Sequence, residues 1–534
     1  MATHPDSTQK GLFAYSGSTH LGLVIFVGLF LFIKNAPLFL AGQFVSEDAF
    51  YFYETAYNAD WITAVTTPYA GYLHVLPMLL AELLWQLPFA VLPWVNHAVA
   101  LTLCVLLLSW FYTPYCRNLV ASDGARAACV MIMALMPYQP NLGMLLGLHW
   151  YLSFAVGLIL LGDLPRKRVP IAALSVFVVL AAWSAPATVV LLPVAVVRWW
   201  LWRKDARRYV PLSFAAAGIA YALAIQFVFK PGSSQPGFAE VGTAIEASWI
   251  MLTEGLLINS VWGLGVGSRL PSSAALILQV AVVAAVLACL WRGRSSARTW
   301  LGVILIGIGG LMLGLTMLRG FQSALIVKMG EPAAERYLAT PSFYLWAGLF
   351  VIVATSVPQL KLRGKMLGLL SLLSVACLLI WDAPPLSGKT PLSEALPHAR
   401  KAQLLTEYEA RVADGGQAET LALPGWTPIE CMRLKIGGGR ECVDGETLAC
   451  IFGTDLKTLG EGRYQIDWLG ELELIEGAWY RHEALGVIAP TGYQKGYYWF
   501  QGANGQRYLS GPAIYPKMFE YPSKNMIWTR AKKD

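Results

Sequence analysis

Residues 71–112 read GYLHVLPMLLAELLWQLPFAVLPWVNHAVALTLCVLLLSWFY, and the way they divide decides the threading of the whole chain. One crossing of a bilayer takes ~20 apolar residues, so this stretch has room for two crossings or for one. The choice puts every later segment on one side of the membrane or the other. Lys and Arg arbitrate, because short base-rich loops stay on the cytoplasmic face. Four such loops follow: Arg166-Lys167-Arg168, Arg198 to Arg208, Arg292 to Arg298 and Lys361 to Lys365. Two crossings put them outside, and one puts them inside. Val95 to Phe111 is therefore read as the span. Tyr72 to Pro93 is interrupted by Pro77, Pro88 and Pro93 and carries Glu82. It is expected as a helix lying in the outer interface or dipping into it, where prolines and an acid are tolerated.

The rest of the chain agrees with a membrane assignment. It has 534 residues, 56% hydrophobic and 14% charged, with 20 Trp, a composition far from that of a soluble domain. Leu21 to Ala41 is longer than a signal-peptide core and no small-residue cleavage site follows it, so it is read as a retained span. The net charge of +7 is spread over short loops; it reports orientation and not a nucleic-acid partner. The expected spans are 21–41, 95–113, 126–137, 149–163, 169–183, 186–202, 210–229, 272–291, 299–318, 337–357 and 366–382. The outer segments between them are 42–94, 138–148, 230–271 and 319–336, with a second interfacial helix at Glu246 to Trp262.

Composition changes at Asp382, and Asp382-Ala-Pro-Pro-Leu-Ser-Gly reads as a linker. Ser393 to Ala413 has Leu404, Leu405, Tyr408 and Val412 at helical spacing, stopped by Gly415-Gly416. From Leu421 on, short apolar runs alternate with Gly, Pro and Asn, as in a β-rich fold. The fold class expected is an all-α polytopic membrane domain over residues 1–382, with about eleven transmembrane helices and outer interfacial helices, followed by a small α+β soluble periplasmic domain over 383–534. Cys431, Cys442 and Cys450 fall in the latter. In an oxidising compartment two of them pair and one is left over; their spacing is not that of a zinc site.

Chemistry is expected in the outer loops. Gly42 to Ala70 holds four acids (Glu47, Asp48, Glu54, Asp60), many aromatics and no Lys or Arg. The adjacent pair Glu47 and Asp48 sits at the mouth of the first span, an expensive place for carboxylates unless they meet water, a cation or a reacting proton. One carboxylate can act as general base on a hydroxyl while its neighbour raises its pKa; alternatively the pair holds a divalent cation such as Mg²⁺ or Mn²⁺. The bland reading is a solvated loop start. Arg336, in Glu335-Arg336-Tyr337, enters a span from an outer loop that also carries Arg319 and Lys328. Interface anchoring explains it, and so does a fork of donors on a phosphate. His149-Trp150 opens another span, and His74 stands beside Tyr69 and Tyr72. Each group is either an interfacial aromatic belt around a satisfied His or a surface for stacking and hydrogen bonding a sugar. The C-terminal aromatics Tyr493, Tyr497, Tyr498, Trp499, Phe500, Tyr508 and Tyr515 form either a sugar-stacking face or the core of a β domain, and are read as core. No Walker A loop, G-x-S-x-G, H-E-x-x-H or dinucleotide fingerprint is present.

As a set these features resemble the C superfamily of glycosyltransferases, integral-membrane enzymes that use polyprenyl-phosphate sugars. The resemblance rests on order and sidedness over about residues 1–380. The acid pair follows the first span; Thr67-Pro68-Tyr69-Ala70-Gly71-Tyr72-Leu73-His74-Val75-Leu76-Pro77 enters the interfacial helix; His149-Trp150-Tyr151 and Glu335-Arg336-Tyr337 open later spans. The Pro-Tyr-x-Gly-Tyr-Leu-His run is similar to bacterial glucosyltransferases that modify pilin and lipopolysaccharide. The resemblance implies an acidic base or acceptor-orienting residue at Asp48 or Glu47. It implies donor-phosphate ligands at Arg336, with Arg319 and Lys328, and sugar or acceptor contacts at Tyr69, Tyr72, His74, His149 and Trp150. The implied activity is transfer of one hexose or pentose, with inversion, from a polyprenyl-phosphate donor to a periplasmic glycan or surface protein. That would occur at the bacterial inner membrane, with no nucleotide needed and a divalent cation, Mg²⁺ or Mn²⁺, left open as a cofactor. Two alternatives are a transporter or flippase for a lipid-linked sugar, which places charges inside spans and often shows inverted repeats, and an O-antigen polymerase or ligase. A third is a non-catalytic envelope protein that binds glycan.

Overall fold

The computed structural model describes residues 15–34, 36, 39, 42, 44, 48–68, 72–135, 143–225, 241–252, 272–318, 338–356 and 398–414, together with strands between 419 and 530. Among the described residues three helices are long and apolar enough to cross a membrane: Phe89–Tyr112, Ala297–Met317 and Ala339–Ser356. Shorter apolar helices include Gly17–Ile33, Val75–Leu84, Leu148–Leu161, Arg168–Ser184, Pro186–Leu201 and Gln279–Gly293. Helices at Asp123–Leu135 and Tyr209–Leu223 complete the positions expected from sequence up to 356, while 366–382 lies outside the described residues. The helix expected at Glu246 to Trp262 is described only at Val241–Ile250. Proline opens several turns where its missing N–H costs nothing, as at Pro114, Pro186 and Pro193.

The chain folds as two compact units. The first comprises Met1–Phe39, Val65–Leu80 and Val95–Gly388. Its centre is Leu148–Leu161, buried at every position. Ala297–Met317 and Ala339–Ser356 approach closely because their contact carries glycines: a Cβ on Gly302 would stand 2.8 Å from the Gly348 carbonyl, and one on Gly348 2.6 Å from the Gly302 carbonyl.

Hydrogen bonds sort the helix termini of this unit into two ends. At the first end the Tyr15 N–H donates to Asp123 (2.8 Å), the Asp163 N–H to the Tyr115 carbonyl (2.6 Å), and Arg298 to the Asn118 carbonyl (3.3 Å). Arg207 bridges to Asp163 at 2.8 Å. At the second end the Leu76 N–H donates to Ser184 Oγ (2.7 Å), the Leu73 N–H lies 3.4 Å from the Tyr221 hydroxyl, and His97 bonds the Gly143 carbonyl (2.7 Å). His74 and His97 therefore lie at the same end, although twenty-odd residues separate them. Residues 81–94, between them in sequence, belong to the second unit.

The second unit comprises Leu40–Ala64, Ala81–Trp94 and Lys389–Asp534. A π-helical turn, Asp48–Tyr53, runs into helices Glu54–Asn58 and Trp61–Thr66. Aromatic rings hold this part together: Phe44 to Tyr53 at 4.5 Å, Phe44 to Phe89 at 5.9 Å, Tyr53 to Trp85 at 6.1 Å and Tyr57 to Trp85 at 5.2 Å. Gly42, at φ 59, is required twice over, since a Cβ there would stand 2.1 Å from the Trp94 ring. The C-terminal segment adds helix His398–Ala413 and antiparallel strands. Glu419–Pro424 pairs with Cys431–Ile436; 456–460, 463–466 and 473–475 form a three-stranded sheet; a five-stranded sheet has the order 529–530, 480–482, 486–494, 497–502, 507–510. Tyr493, Tyr497, Tyr498, Trp499, Phe500 and Tyr508 lie on its strands. Cys442, Cys450 and Tyr515 lie outside the described residues.

Candidate functional site

Asp48 has no exposed surface. It opens the π-helical turn, a local geometry frequent at functional sites. The residues that follow it, Ala49, Tyr51, Phe52 and Tyr53, are buried too. Burial holds the Tyr53 hydroxyl well above the usual tyrosine range, and the charge of Asp48 pushes in the same direction. Glu47 lies outside the described residues.

The other acids of the loop differ in kind. Asp60 is exposed and caps the helix that follows: its carboxylate accepts the N–H groups of Ile62 (3.0 Å) and Thr63 (3.1 Å) and the Thr63 hydroxyl (2.6 Å). Those bonds, the Thr63 hydroxyl first, hold its carboxyl below the usual range. Glu54 is half-buried in the first turn of its helix. Glu82 is pushed up by burial and then by the charge of Asp60. Among the described acids of residues 42–70, Asp48 alone is fully buried.

In the first unit, two stretches selected from sequence come together. The ring centroids of His74 and His149 are 5.7 Å apart, edge to face. Tyr72 lies 4.5 Å from His74 and 6.3 Å from His149, and Trp150 lies 4.3 Å from His149. Gly143, at φ 85, turns the chain into the short segment before Leu148, and a Cβ there would stand 2.5 Å from the Phe39 ring. The His149 Nδ1 bonds the Leu146 carbonyl, which assigns the proton to Nδ1 and leaves Nε2 as the acceptor of a neutral ring. His74 precedes the helix Val75–Leu84, and its carbonyl accepts the Met78 N–H at 2.9 Å. Burial holds its imidazole well below the ordinary histidine range, and His149 adds to the effect. The cluster is thus neutral at pH 7, with indole and phenol rings for stacking and imidazole nitrogens for hydrogen bonding. Tyr151 faces elsewhere, packing on Phe343 at 5.2 Å.

Four of the ten residues singled out for donor, acceptor or catalytic contacts form this cluster, and Asp48 is described in the second unit. Tyr69, Arg319, Lys328, Arg336 and Glu47 lie outside the described residues. Among the described residues no group of three or more His, Cys, Asp or Glu side chains is placed to hold a metal ion.

The sequence reading passed over the buried Asn96, His97 and Arg126. Arg126 donates to the carbonyls of Tyr112 (3.1 Å), Val120 (2.7 Å) and Ala121 (3.2 Å) and pairs with Asp123. The Asp123/Arg126 spacing of three on a helix was the available signal. No family model, no curated protein and no solved structure matches the chain.

Proposed function

We propose that the chain is an inverting glycosyltransferase of the bacterial inner membrane. It moves one sugar from a polyprenyl-phosphate donor to a periplasmic acceptor, a lipopolysaccharide glycan or a surface protein such as pilin. The observation that carries the reading is the convergence of Tyr72 and His74 with His149 and Trp150. Residues chosen from two short motifs some 75 positions apart build one neutral aromatic and imidazole cluster, of the kind that stacks on a sugar ring and hydrogen-bonds its hydroxyls. The burial of Asp48 among aromatic residues supports its role as the base.

In this reading the chain is multi-pass, the base-rich loops face the cytoplasm, and the end of the first unit that holds the His cluster faces the periplasm. The C-terminal segment is a periplasmic domain. The donor enters from the outer leaflet with its lipid tail among the helices. Arg336, with Arg319 and Lys328, neutralises the phosphate. The Asp48 carboxylate takes the proton of an acceptor hydroxyl. The acceptor oxygen then attacks the anomeric carbon from the face opposite the phosphate, the bond from that carbon to the phosphate oxygen breaks, and polyprenyl monophosphate leaves. General-base assistance supplies ~10²–10⁴-fold.

The direct test is intact-mass analysis of envelope glycans and surface proteins from cells with and without the protein. A mass difference of one hexose or one pentose is expected. Identical spectra under conditions where the protein is made would remove the reading.

A further inference from the structure

The second unit joins two pieces of chain that are far apart in sequence, the Asp48 segment and the C-terminal segment. The strand Cys431–Ile436 has Cα atoms within 8 Å of both the turn Asp48–Tyr53 and the helix Glu54–Asn58. The helix His398–Ala413 is within the same distance of the turn Phe89–Val91 and of both strands of the 419–436 pair. A side-chain bond ties the pieces together: the Tyr57 hydroxyl donates to Glu409 Oε1 at 3.3 Å, with Tyr57 braced against Trp85 at 5.2 Å. Burial, then the charge and hydrogen bond of Glu409, push the Tyr57 hydroxyl up to about 12, so it stays protonated and donates across the physiological range.

Asp48 is sealed from solvent within this arrangement. A base must come within ~2.6–3.2 Å of the hydroxyl it deprotonates, so a sealed base can act only if something moves. The tie at Tyr57 and Glu409 is long and Glu409 is exposed, and a solvent-exposed hydrogen bond opens at low free-energy cost. We infer that helix 398–413 and the strand pair 419–424/431–436 form a movable cover on the Asp48 segment, one that opens to admit the acceptor, with Tyr57 and Glu409 as its latch. The inference rests on the reading of Asp48 as the base, but the closure itself is measurable without turnover.

Carboxylates of the full-length protein, labelled with a water-soluble carbodiimide and glycine methyl ester and read by peptide mass spectrometry, report closure directly. Asp60, exposed on the same loop, serves as the internal standard. In the unaltered protein Asp48 is expected to label at least ~10-fold more slowly than Asp60, the rate being set by the open population. Tyr57→Phe, which removes only the donor, is expected to raise Asp48 labelling ~3-fold, a typical loss for one partly exposed hydrogen bond. Leu405→Asp places a charge at a buried position of helix 398–413 and is expected to raise it ~10-fold or more, with Asp60 unchanged in both. Asp48 labelling as fast as Asp60 in the unaltered protein, or labelling unmoved by Tyr57→Phe, would overturn the cover, and the second outcome holds even if Leu405→Asp fails to fold. Labelling that follows the expected pattern in a protein that transfers no sugar would leave the cover standing and remove the glycosyltransferase reading, so the two fail separately.

Discussion

Arg126 and Asp48 are both charged and both fully buried, and they are buried in opposite ways. Every acceptor around Arg126 is within a few residues of a turn: the Tyr112, Val120 and Ala121 carbonyls and the Asp123 carboxylate, itself bonded by Arg117 and the Tyr15 N–H. The guanidinium thereby ties the chain start, the 112–121 connection and the helix Asp123–Leu135 into one rigid end. Asp48 instead opens a turn of aromatic residues, of which Tyr53 packs on Phe44 and Trp85. A charge surrounded by fixed acceptors stabilises a fold; under the proposed function the buried Asp48 carboxylate has a chemical task instead.

The largest expected effect separates these roles. Asp48→Asn keeps the shape and removes the charge, so sugar transfer should fall by ~10²–10⁴-fold while thermal stability in detergent holds or rises slightly. Arg126→Met should do the reverse. It leaves the carbonyls of Tyr112, Val120 and Ala121 without this donor and takes one of its cationic partners from Asp123, which keeps Arg117 and the Tyr15 N–H, at a cost of about 3 kcal/mol, and activity per folded molecule should stay at the original level. If Asp48→Asn unfolds the protein and transfer by the folded fraction is normal, Asp48 is a structural charge like Arg126 and the contrast is lost.

The His cluster gives the next effect. The imidazole of His74 titrates below its ordinary 6.5 in the folded protein because it is buried. The unfolded chain therefore binds the proton first, and the contribution of this group to stability is full above pH 6.5 and is lost as pH falls below it. Melting temperature should drop between pH 7 and pH 5, and His74→Gln should flatten that drop; an unchanged slope would mean that other groups dominate. His149→Gln keeps a polar amide but removes the ring that meets both Tyr72 and Trp150, and should cost transfer ~10-fold, a loss comparable to one aromatic contact together with one hydrogen bond. The smallest effect belongs to an ion pair of the first end. Asp163 is largely solvent-exposed in its pair with Arg207, and Asp163→Asn should change stability by under ~1 kcal/mol.

Much of the helical layout was readable before any coordinates. Helix positions follow from apolar runs, and the reading of 72–93 as a segment that turns back follows from Pro77, Pro88, Pro93 and the later basic loops. What could not be read was which polar residues are pins. Arg126 looks like any charge near a helix start until the Tyr112, Val120 and Ala121 carbonyls are seen to converge on it.

Sequence by itself determined the approximate helices, the apolar character of the longest of them and the short list of polar residues worth testing. Those depend on local composition and on charge order along the chain, and both are written residue by residue. Only the tertiary structure decided that Tyr72 and His74 meet His149 and Trp150, that Asp48 and not Asp60 is the buried acid, and that the chain end folds onto the first loop. Each is a contact between segments far apart in sequence. Contacts of that kind depend on how several helices pack at once, which no single stretch encodes.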